Sequence, residues 1–225
     1  PLGHYYLAPI GFWTLFLFAG LGAPAALLGG PIPIWLQSVG VVASVLGIVP
    51  VVVLAINFFS TLSVDGGWGR SWNSTTLRFV AVGIVSFLLF GILAAVFSTR
   101  DLSATLAFTS FAEGQVQLLT YGASTMILFG ASYFILPRLT GSLWPSTALV
   151  HVHFWSAFLG LLLAVGAALA GGWQAGHQPS APSTPWALAG SVAAFLLLVG
   201  HVAFALNAFG MILSSTTPTS DGRSD

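Results

Sequence analysis

The chain contains neither cysteine nor lysine among its 225 residues. Without cysteine it forms no disulfide, thiolate zinc site or cysteine-ligated iron–sulfur cluster. Without lysine it lacks the amine that Schiff-base catalysis uses. The formal net charge is zero and no basic patch occurs, so the electrostatic attraction on which nucleic-acid binding depends is missing. These absences exclude several classes of enzyme and exclude nucleic acid as a partner.

Charged side chains are also scarce. Arginine accounts for five residues and aspartate with glutamate for five more, 4% of the chain, whereas a soluble domain carries about a quarter. The ten lie between long apolar runs, at their edges or in the C-terminal tail: Asp65, Arg70, Arg78, Arg100, Asp101, Glu113, Arg138, Asp221, Arg223 and Asp225. Lipid is therefore the expected solvent, and the membrane depth is nearly empty of the ionisable groups that membrane enzymes and pumps keep there.

Six apolar runs reach the length of about 20 residues that a transmembrane helix needs. We predict an all-α membrane protein, a bundle of six transmembrane helices in one domain, 1–213. The helices are expected at residues 5–28, 37–62, 78–98, 115–136, 146–171 and 185–213. Residues 214–225 are polar and are expected to form a disordered tail. The arginines concentrate on the side that this order assigns to both termini, which predicts cytoplasmic termini.

Histidines are the first candidates for a buried site. His153 falls in the fifth predicted helix and His201 in the sixth. Consecutive helices pack antiparallel, and a rise of about 1.5 Å per residue puts the two side chains at similar depths. Their positions would allow a bis-histidine haem. The simpler interpretation, which we favour, is a hydrogen bond from each ring to a carbonyl or a neighbouring helix.

Amides and hydroxyls supply the other polar groups at depth. These residues are Asn57, Gln115, Gln117, Thr120, Tyr121, Thr125 and Asn207. Such side chains most often join transmembrane helices through hydrogen bonds. A quinone headgroup could use the same donors, although nothing in the pattern is specific to quinone. The sequence shows no glycine-rich nucleotide loop, catalytic Ser/His/Asp arrangement or paired carboxylates.

Four segments together resemble one family. They are residues 35–40 (WLQSVG), 76–79 (TLRF), 129–139 (FGASYFILPRL) and 149–160, which contains His153-Phe154-Trp155. Their order and spacing resemble subunit I of the cbb-type haem–copper cytochrome c oxidases and their relatives, the nitric oxide reductases. The resemblance covers the last six of that family's twelve core helices. It implies half of an oxidase subunit I fold, in the same orientation that the arginines indicate.

The haem ligands of that family are missing. Its ligand helix reads Gly-His-Val-His, and this chain has Gln115 and Gln117 at the histidine positions. Residues two apart point to nearly opposite sides of a helix, which lets one histidine serve each of two haems. Glutamine lacks the imidazole nitrogen that haem iron ordinarily uses. Bulky residues 118–121 follow, and we expect them to fill the space that a porphyrin would leave, because empty cavities are costly.

The copper site of the family is missing as well. Ala25 and Ala26 stand at the positions of adjacent copper histidines, and methyl groups bind no copper. The family's tyrosine beside copper falls on Ala19, and a glutamate near its active site falls on Leu93. We therefore expect no metal site in this chain, and a fold that has lost its redox centres.

The leading functional hypothesis is a non-catalytic membrane subunit that anchors or scaffolds a larger respiratory or electron-transfer complex. It is expected to bind no cofactor itself, to contact lipid and other membrane subunits, c-type cytochromes among them, and to reside in the bacterial inner membrane. Haem or quinone would belong to neighbouring subunits. The alternative is the C-terminal half of a split oxidoreductase subunit that contributes a quinone site or a proton path, with His153, His201 and Tyr121 as candidate haem or quinone contacts. A transporter or channel is the least favoured alternative, since buried charge and inverted repeats are missing.

Overall fold

The computed structural model describes residues 5–22, 31–64, 69 and 73–216, and helices form most of this part of the chain. The helices are α1 (Leu7–Gly22), α2 (Ile34–Leu46), α3 (Ile48–Val64), α4 (Thr75–Phe97), α5 (Arg100–Leu106), α6 (Ser110–Gln117), a π-helical segment (Leu118–Thr125), α7 (Met126–Thr140), α8 (Thr147–His177) and α9 (Thr184–Thr216). We refer to residues Leu118–Thr125 as the π segment.

Five helical stretches in the described residues are long and apolar enough to cross a membrane. They are Ile34–Ser63, Thr75–Phe97, Ser110–Thr140, Thr147–His177 and Thr184–Leu213. The all-α class and the multi-span membrane character predicted above are thus confirmed. Helix α1 is apolar but has only 16 residues. At 1.5 Å per residue it measures about 24 Å, less than the roughly 30 Å hydrocarbon core of a bilayer. Residues 23–28 of the predicted first span lie outside the described part.

The second span differs from a single straight helix. It begins at Ile34 and is divided at Gly47 into α2 and α3. Pro50 explains the division, because a proline has no N–H to donate to the carbonyl of the residue four positions earlier, Leu46. The fourth span begins at Ser110, earlier than predicted, and the connection before it contains the short helix α5. At the other end, α9 continues to Thr216, into the predicted tail.

Helices α8 and α9 form a long antiparallel hairpin, against which α6 and α7 pack. Helix α4 packs on α7 and the π segment, while α1 lies on α2 and α3. Asn207 of α9 fastens the hairpin at one end: its Oδ1 accepts the Ser146 N–H at 3.0 Å, and its Nδ2 donates to the Ser146 carbonyl at 2.9 Å. Asn207 is 1% exposed. This residue therefore joins two helices, as the sequence predicted for its polar residues at depth.

The core lies where α4, α7, α8 and α9 meet. Its most deeply buried large side chains are Phe79, Met126, His153, Phe154 and Met211. A tryptophan replaces a backbone hydrogen bond that a proline removes from α7. Pro137 in α7 cannot donate to the Tyr133 carbonyl, and the indole Nε1 of Trp144 donates to that carbonyl instead, at 3.3 Å.

Candidate functional site

Two clefts lie on either side of the helix that carries Gln115 and Gln117. Thr109 fixes the start of this helix, since its hydroxyl oxygen accepts the N–H of Phe111 at 3.3 Å. Gln115 borders one cleft and Gln117 borders the other. The structure therefore places the two amides on opposite faces, as their spacing predicts.

The cleft next to Gln115, which we call the α1 cleft, has a volume of about 690 Å³. The residues that border it include Ala19, Ala43, Phe87, Phe111 and Gln115. Helices α1 to α6 all contribute to its wall, which is largely apolar. Nε2 of Gln115 is buried and has no hydrogen-bond partner among the described residues. Of the positions that the resemblance relates to the family's active site, this cleft brings together Ala19 and Gln115.

Leu93, at the position of the family's glutamate, does not border this cleft. Leu93 packs against the hydrophobic core rather than at a cleft. Ala25 and Ala26, at the positions of the copper histidines, lie outside the described residues. Loss of the copper ligands therefore stays a prediction from the sequence.

The α9 cleft lies between α6 with the π segment on one side and α8 with α9 on the other. Residues Glu113, Gln117, Tyr121, Ala167 and Gly190 border it, among others, and its volume is about 520 Å³. Ser110 also borders this cleft. Oε1 of Gln117 and Oη of Tyr121 are buried and lack a hydrogen-bond partner within the described part of the chain.

The bulky residues after Gln117 do not close these spaces. Leu118 turns into the hydrophobic core, while Leu119 borders the α1 cleft and Tyr121 the α9 cleft. Two side chains of this segment thus form part of the cleft walls, and the filling of a porphyrin's space by residues 118–121 stays a prediction. The segment is π-helical and has about one residue more per turn than an α-helix. The hydroxyl of Ser124 accordingly donates to the carbonyl five residues earlier, that of Leu119.

His153 lies apart from both clefts, in an aromatic cage. Its ring is fully buried, and Nδ1 is 2.9 Å from the hydroxyl of Tyr133. The ring centroids of Phe79, Phe129 and Phe204 lie 5.0, 4.4 and 5.1 Å from its own. Nε2 of His153 has no hydrogen-bond partner among the described residues. The ring of Phe129 is nearly perpendicular to the imidazole, at an interplanar angle of 84°.

His201 lies next to His153, as the sequence predicted from their depths. The two ring centroids are 6.4 Å apart. Nδ1 of His201 donates to the Leu197 carbonyl at 2.6 Å, the backbone bond that we favoured for it. Phe129 contacts both histidine rings, at 4.4 and 5.6 Å between centroids. A porphyrin between the two histidines would therefore have to displace Phe129.

Tyr121 connects this region to the α9 cleft, because its ring centroid is 5.7 Å from that of His201. Tyr133, which belongs to the 129–139 motif, is the direct partner of His153. Its position twenty residues earlier in another helix gives no sequence signal for this contact. Among the residues that the structure describes, no three His, Cys, Asp or Glu side chains converge on a possible metal position.

Comparison with known proteins gives a consistent result. The family model for cytochrome C and quinol oxidase polypeptide I matches residues 1–205. The Cbb3-type cytochrome c oxidase subunit CcoN1 of Stutzerimonas stutzeri is 29% identical over 167 residues, which cover 72% of this chain and 34% of the relative. Cytochrome c oxidase subunit 1 of Rhodobacter capsulatus is 30% identical over 164 residues, 72% of this chain and 30% of the relative. The chain thus spans about a third of the length of these relatives.

The fold has a counterpart among solved structures. A cryo-EM structure of a heme-copper terminal oxidase dimer contains a chain that superposes with a TM-score of 0.80. The match covers 98% of this chain and 44% of the solved one, at 16% sequence identity. At that identity the likeness concerns the fold alone.

Proposed function

Because the chain belongs to the family of cytochrome C and quinol oxidase polypeptide I, we propose that it is a non-catalytic, subunit-I-like membrane subunit. It anchors or scaffolds a larger respiratory or electron-transfer complex in the bacterial inner membrane. Its partners are other membrane subunits, c-type cytochromes among them. The observation that carries this proposal is the presence of amides, Gln115 and Gln117, on the two faces where the resemblance expects haem-ligating imidazoles.

These residues do not fit haem. An amide offers iron a weak oxygen in place of the imidazole, thiolate or thioether that haem proteins use. Each glutamine also has a buried polar atom without a hydrogen-bond partner in the described chain. His153 does not replace them, because the rings of Phe79, Phe129 and Phe204 pack around its imidazole and leave no room for a porphyrin. We therefore derive no redox step in this chain.

The exposed surface supports a role in assembly. Helix α1, within the described residues, has no buried residue, and it exposes Phe12, Trp13 and Phe16 by 63%, 65% and 71%. Helix α9 exposes a second apolar face, which includes Phe195 and Phe209. Faces of this kind are covered either by lipid or by the helices of partner subunits.

The proposed topology has six crossings and cytoplasmic termini. We propose that α1 crosses the membrane together with residues that follow it. Arg78 and Arg138 lie at one end of the bundle, near the start of α4 and the end of α7, and Arg100 lies at the opposite end of α4. This distribution supports the cytoplasmic assignment of the end that carries Arg78 and Arg138.

Deletion of the gene, with the complex recovered from native membranes, tests the scaffold role. We expect a lower yield of assembled complex, whereas the complex that does assemble turns over at its normal rate per redox centre. A full yield of active complex in the deletion strain would refute the proposal.

The second candidate is the C-terminal half of a split oxidoreductase subunit that contributes a quinone site or a proton path. The α9 cleft favours it, because Gln117 and Tyr121 border this space and its lining is largely apolar. A proton path would follow Tyr121, His201, His153 and Tyr133, but the ring of Phe129 lies against both histidines. Between these two possibilities the geometry supports the quinone site better. Loss of quinol-dependent turnover in a Gln117→Leu variant of the assembled complex would favour this candidate over the scaffold.

A further inference from the structure

A third pocket lies where α4 and α8 begin, at the end of the bundle that carries Arg78. We call it the Arg78 pocket, and its volume is about 510 Å³. The residues that give it polar groups are Asn73, Thr75, Thr76, Arg78, Thr147 and His151. We propose that this pocket binds the phosphate group of an anionic phospholipid. The proposal depends neither on the scaffold role nor on the second candidate function.

Arg78 brings a buried positive charge to this pocket. The residue is 9% exposed, and no carboxylate is among the described residues that border the pocket. The acidic residues of the described part, Asp101 and Glu113, lie in α5 and α6, beyond the opposite end of α4. A buried charge without a counter-charge is strongly destabilising. An anion from outside the described chain is therefore expected beside Arg78.

The guanidinium group keeps donors available for such an anion. Its Cζ lies 5.2 Å from the centre of the Phe154 ring, but a contact of this kind offsets only a small part of the cost of burying a charge. Nε is the only guanidinium nitrogen that is both closed off and unpaired among the described residues. Nη1 and Nη2, which make no hydrogen bond there either, therefore keep access to the pocket. Two parallel N–H groups of this kind match two oxygens of a phosphate.

Two helix starts add to the positive potential. Thr75 and Thr76 of α4 and Thr147 of α8 border the pocket. The hydroxyls of Ser74 and Ser146 accept the N–H of the third residue of these helices, at 3.5 and 3.3 Å. The first two N–H groups of each helix have no intrahelical acceptor. Because a helix start also carries a partial positive charge, both helices favour an anion at the same place as Arg78 does.

The pocket lies at the depth of lipid headgroups. Arg78 is three residues, about 4.5 Å, from the start of the span Thr75–Phe97. The span Thr147–His177 has 31 residues and measures about 46 Å, so its ends extend beyond the roughly 30 Å hydrocarbon core into the headgroup layer. Phospholipid phosphates lie in that layer, and basic pockets between transmembrane helices are typical sites for anionic headgroups.

An apolar stripe leads from the pocket along α8. His151, Trp155 and Leu159 are spaced by four residues and share one face of this helix. Trp155 and Leu159 are 44% and 48% exposed. An acyl chain attached to a phosphate in the pocket would cover this stripe. The source of the phosphate is therefore a lipid, whose headgroup also fills more of the 510 Å³ than an inorganic ion does.

Arg138 supplies a matched control for the main variant, Arg78→Gln. It lies at the same end of the bundle, but it is exposed and does not border the pocket. Its Nη1 donates to the carbonyl of Phe134 in its own helix, at 2.6 Å. Arg138→Gln therefore removes the same formal charge without changing the pocket. His151→Leu is a second test variant, because this exposed residue borders the pocket and its replacement leaves Arg78 in place.

The test measures the binding of phosphatidylglycerol to the full chain in neutral detergent by native mass spectrometry, with phosphatidylcholine as the reference lipid. We expect one phosphatidylglycerol per chain in the original protein and in Arg138→Gln. Affinity should fall about tenfold or more in Arg78→Gln and about threefold in His151→Leu. Equal affinities in Arg78→Gln and Arg138→Gln, or phosphatidylcholine bound as tightly as phosphatidylglycerol, would overturn the proposal.

Thermal unfolding distinguishes a lipid from a soluble source of phosphate. Phosphatidylglycerol should raise the unfolding temperature of the original chain, and inorganic phosphate should raise it less, with sodium chloride at equal ionic strength as the control. An equal rise with inorganic phosphate, without retained lipid, would uphold the phosphate site and refute the lipid source. No rise with either would overturn the proposal.

The same measurement tests for a counter-charge within the chain. Asp65 lies outside the described residues, and Asp65→Asn should leave the affinity for phosphatidylglycerol unchanged. Without added lipid, Arg78→Gln should unfold at the same or a higher temperature than the original chain, because it removes an uncompensated buried charge. If Asp65→Asn and Arg78→Gln instead lower this temperature equally, the guanidinium has a partner within the chain and the proposal is wrong.

Discussion

The Tyr133–His153 hydrogen bond yields the most precise stability prediction. Tyr133→Phe removes the hydroxyl that lies 2.9 Å from His153 Nδ1 and keeps the ring, whose centroid is 5.4 Å from that of Phe79 and 4.7 Å from that of Trp144. Hydrogen bonds between transmembrane helices average about 0.6 kcal/mol and reach about 1.7. The variant also leaves a fully buried imidazole nitrogen unsatisfied, which adds to the cost. We expect a loss of about 1–2 kcal/mol in the free energy of unfolding.

Tyr121→Phe is the matched control. Its hydroxyl is buried without a partner in the described chain, so its removal is expected to change stability by nothing or to raise it by up to about 1 kcal/mol. Both variants are unfolded by SDS titration of mixed micelles, without added quinone, and followed by circular dichroism. Equal losses in the two variants, or an unchanged Tyr133→Phe, would refute the assignment of His153 to a structural hydrogen bond.

Two further predictions concern helix packing. A Cβ on Gly172 would lie 2.0 Å from the backbone nitrogen of Phe111. Gly172→Ala should therefore separate α8 from α6 and lower the free energy of unfolding by about 1–3 kcal/mol. At Gly166 a Cβ meets no described atom within 4 Å, so Gly166→Ala should lower it by less than about 0.5 kcal/mol in the same SDS titration. Asn207→Leu removes both hydrogen bonds to the Ser146 backbone and should lower the free energy of unfolding by about 1–3 kcal/mol. We expect faster proteolysis of the connection between α7 and α8. Unaltered cleavage there would contradict the role of Asn207 in joining the two helices.

Much of the fold follows from the sequence because lipid imposes a simple rule. A span must be helical and about 20 residues long, and charged residues mark where spans end. The proximity of His153 and His201 followed in the same way, from helix order and rise. The opposite faces of Gln115 and Gln117 followed from their spacing of two.

Departures from a regular helix were not predictable in this way. Composition does not reveal that the stretch Leu118–Thr125 is π-helical, because alternatives between i−4 and i−5 bonding differ by small energies that tertiary packing decides. Within this segment Leu119 borders the α1 cleft and Tyr121 the α9 cleft. The division of the second span at Gly47 had a visible signal in Pro50, which lies three residues later.

Contacts between distant residues were also beyond the sequence. Tyr133 and His153 belong to separate helices, and their pairing depends on the rotation of each helix about its axis. That rotation is set by close approaches, such as Gly172 against Phe111, and these depend on the packed structure. The shape of the α9 cleft has the same origin, because alanines that look like ordinary helix residues in sequence become its wall.

We propose that this chain keeps the fold of an oxidase subunit I without its haem. The most direct test is an optical absorption spectrum of the chain, purified from native membranes and separated from its partner subunits, with protein and haem quantified in the same sample. We expect no stoichiometric haem absorbance in either redox state. A reproducible signal of one haem or more per chain would contradict the claim.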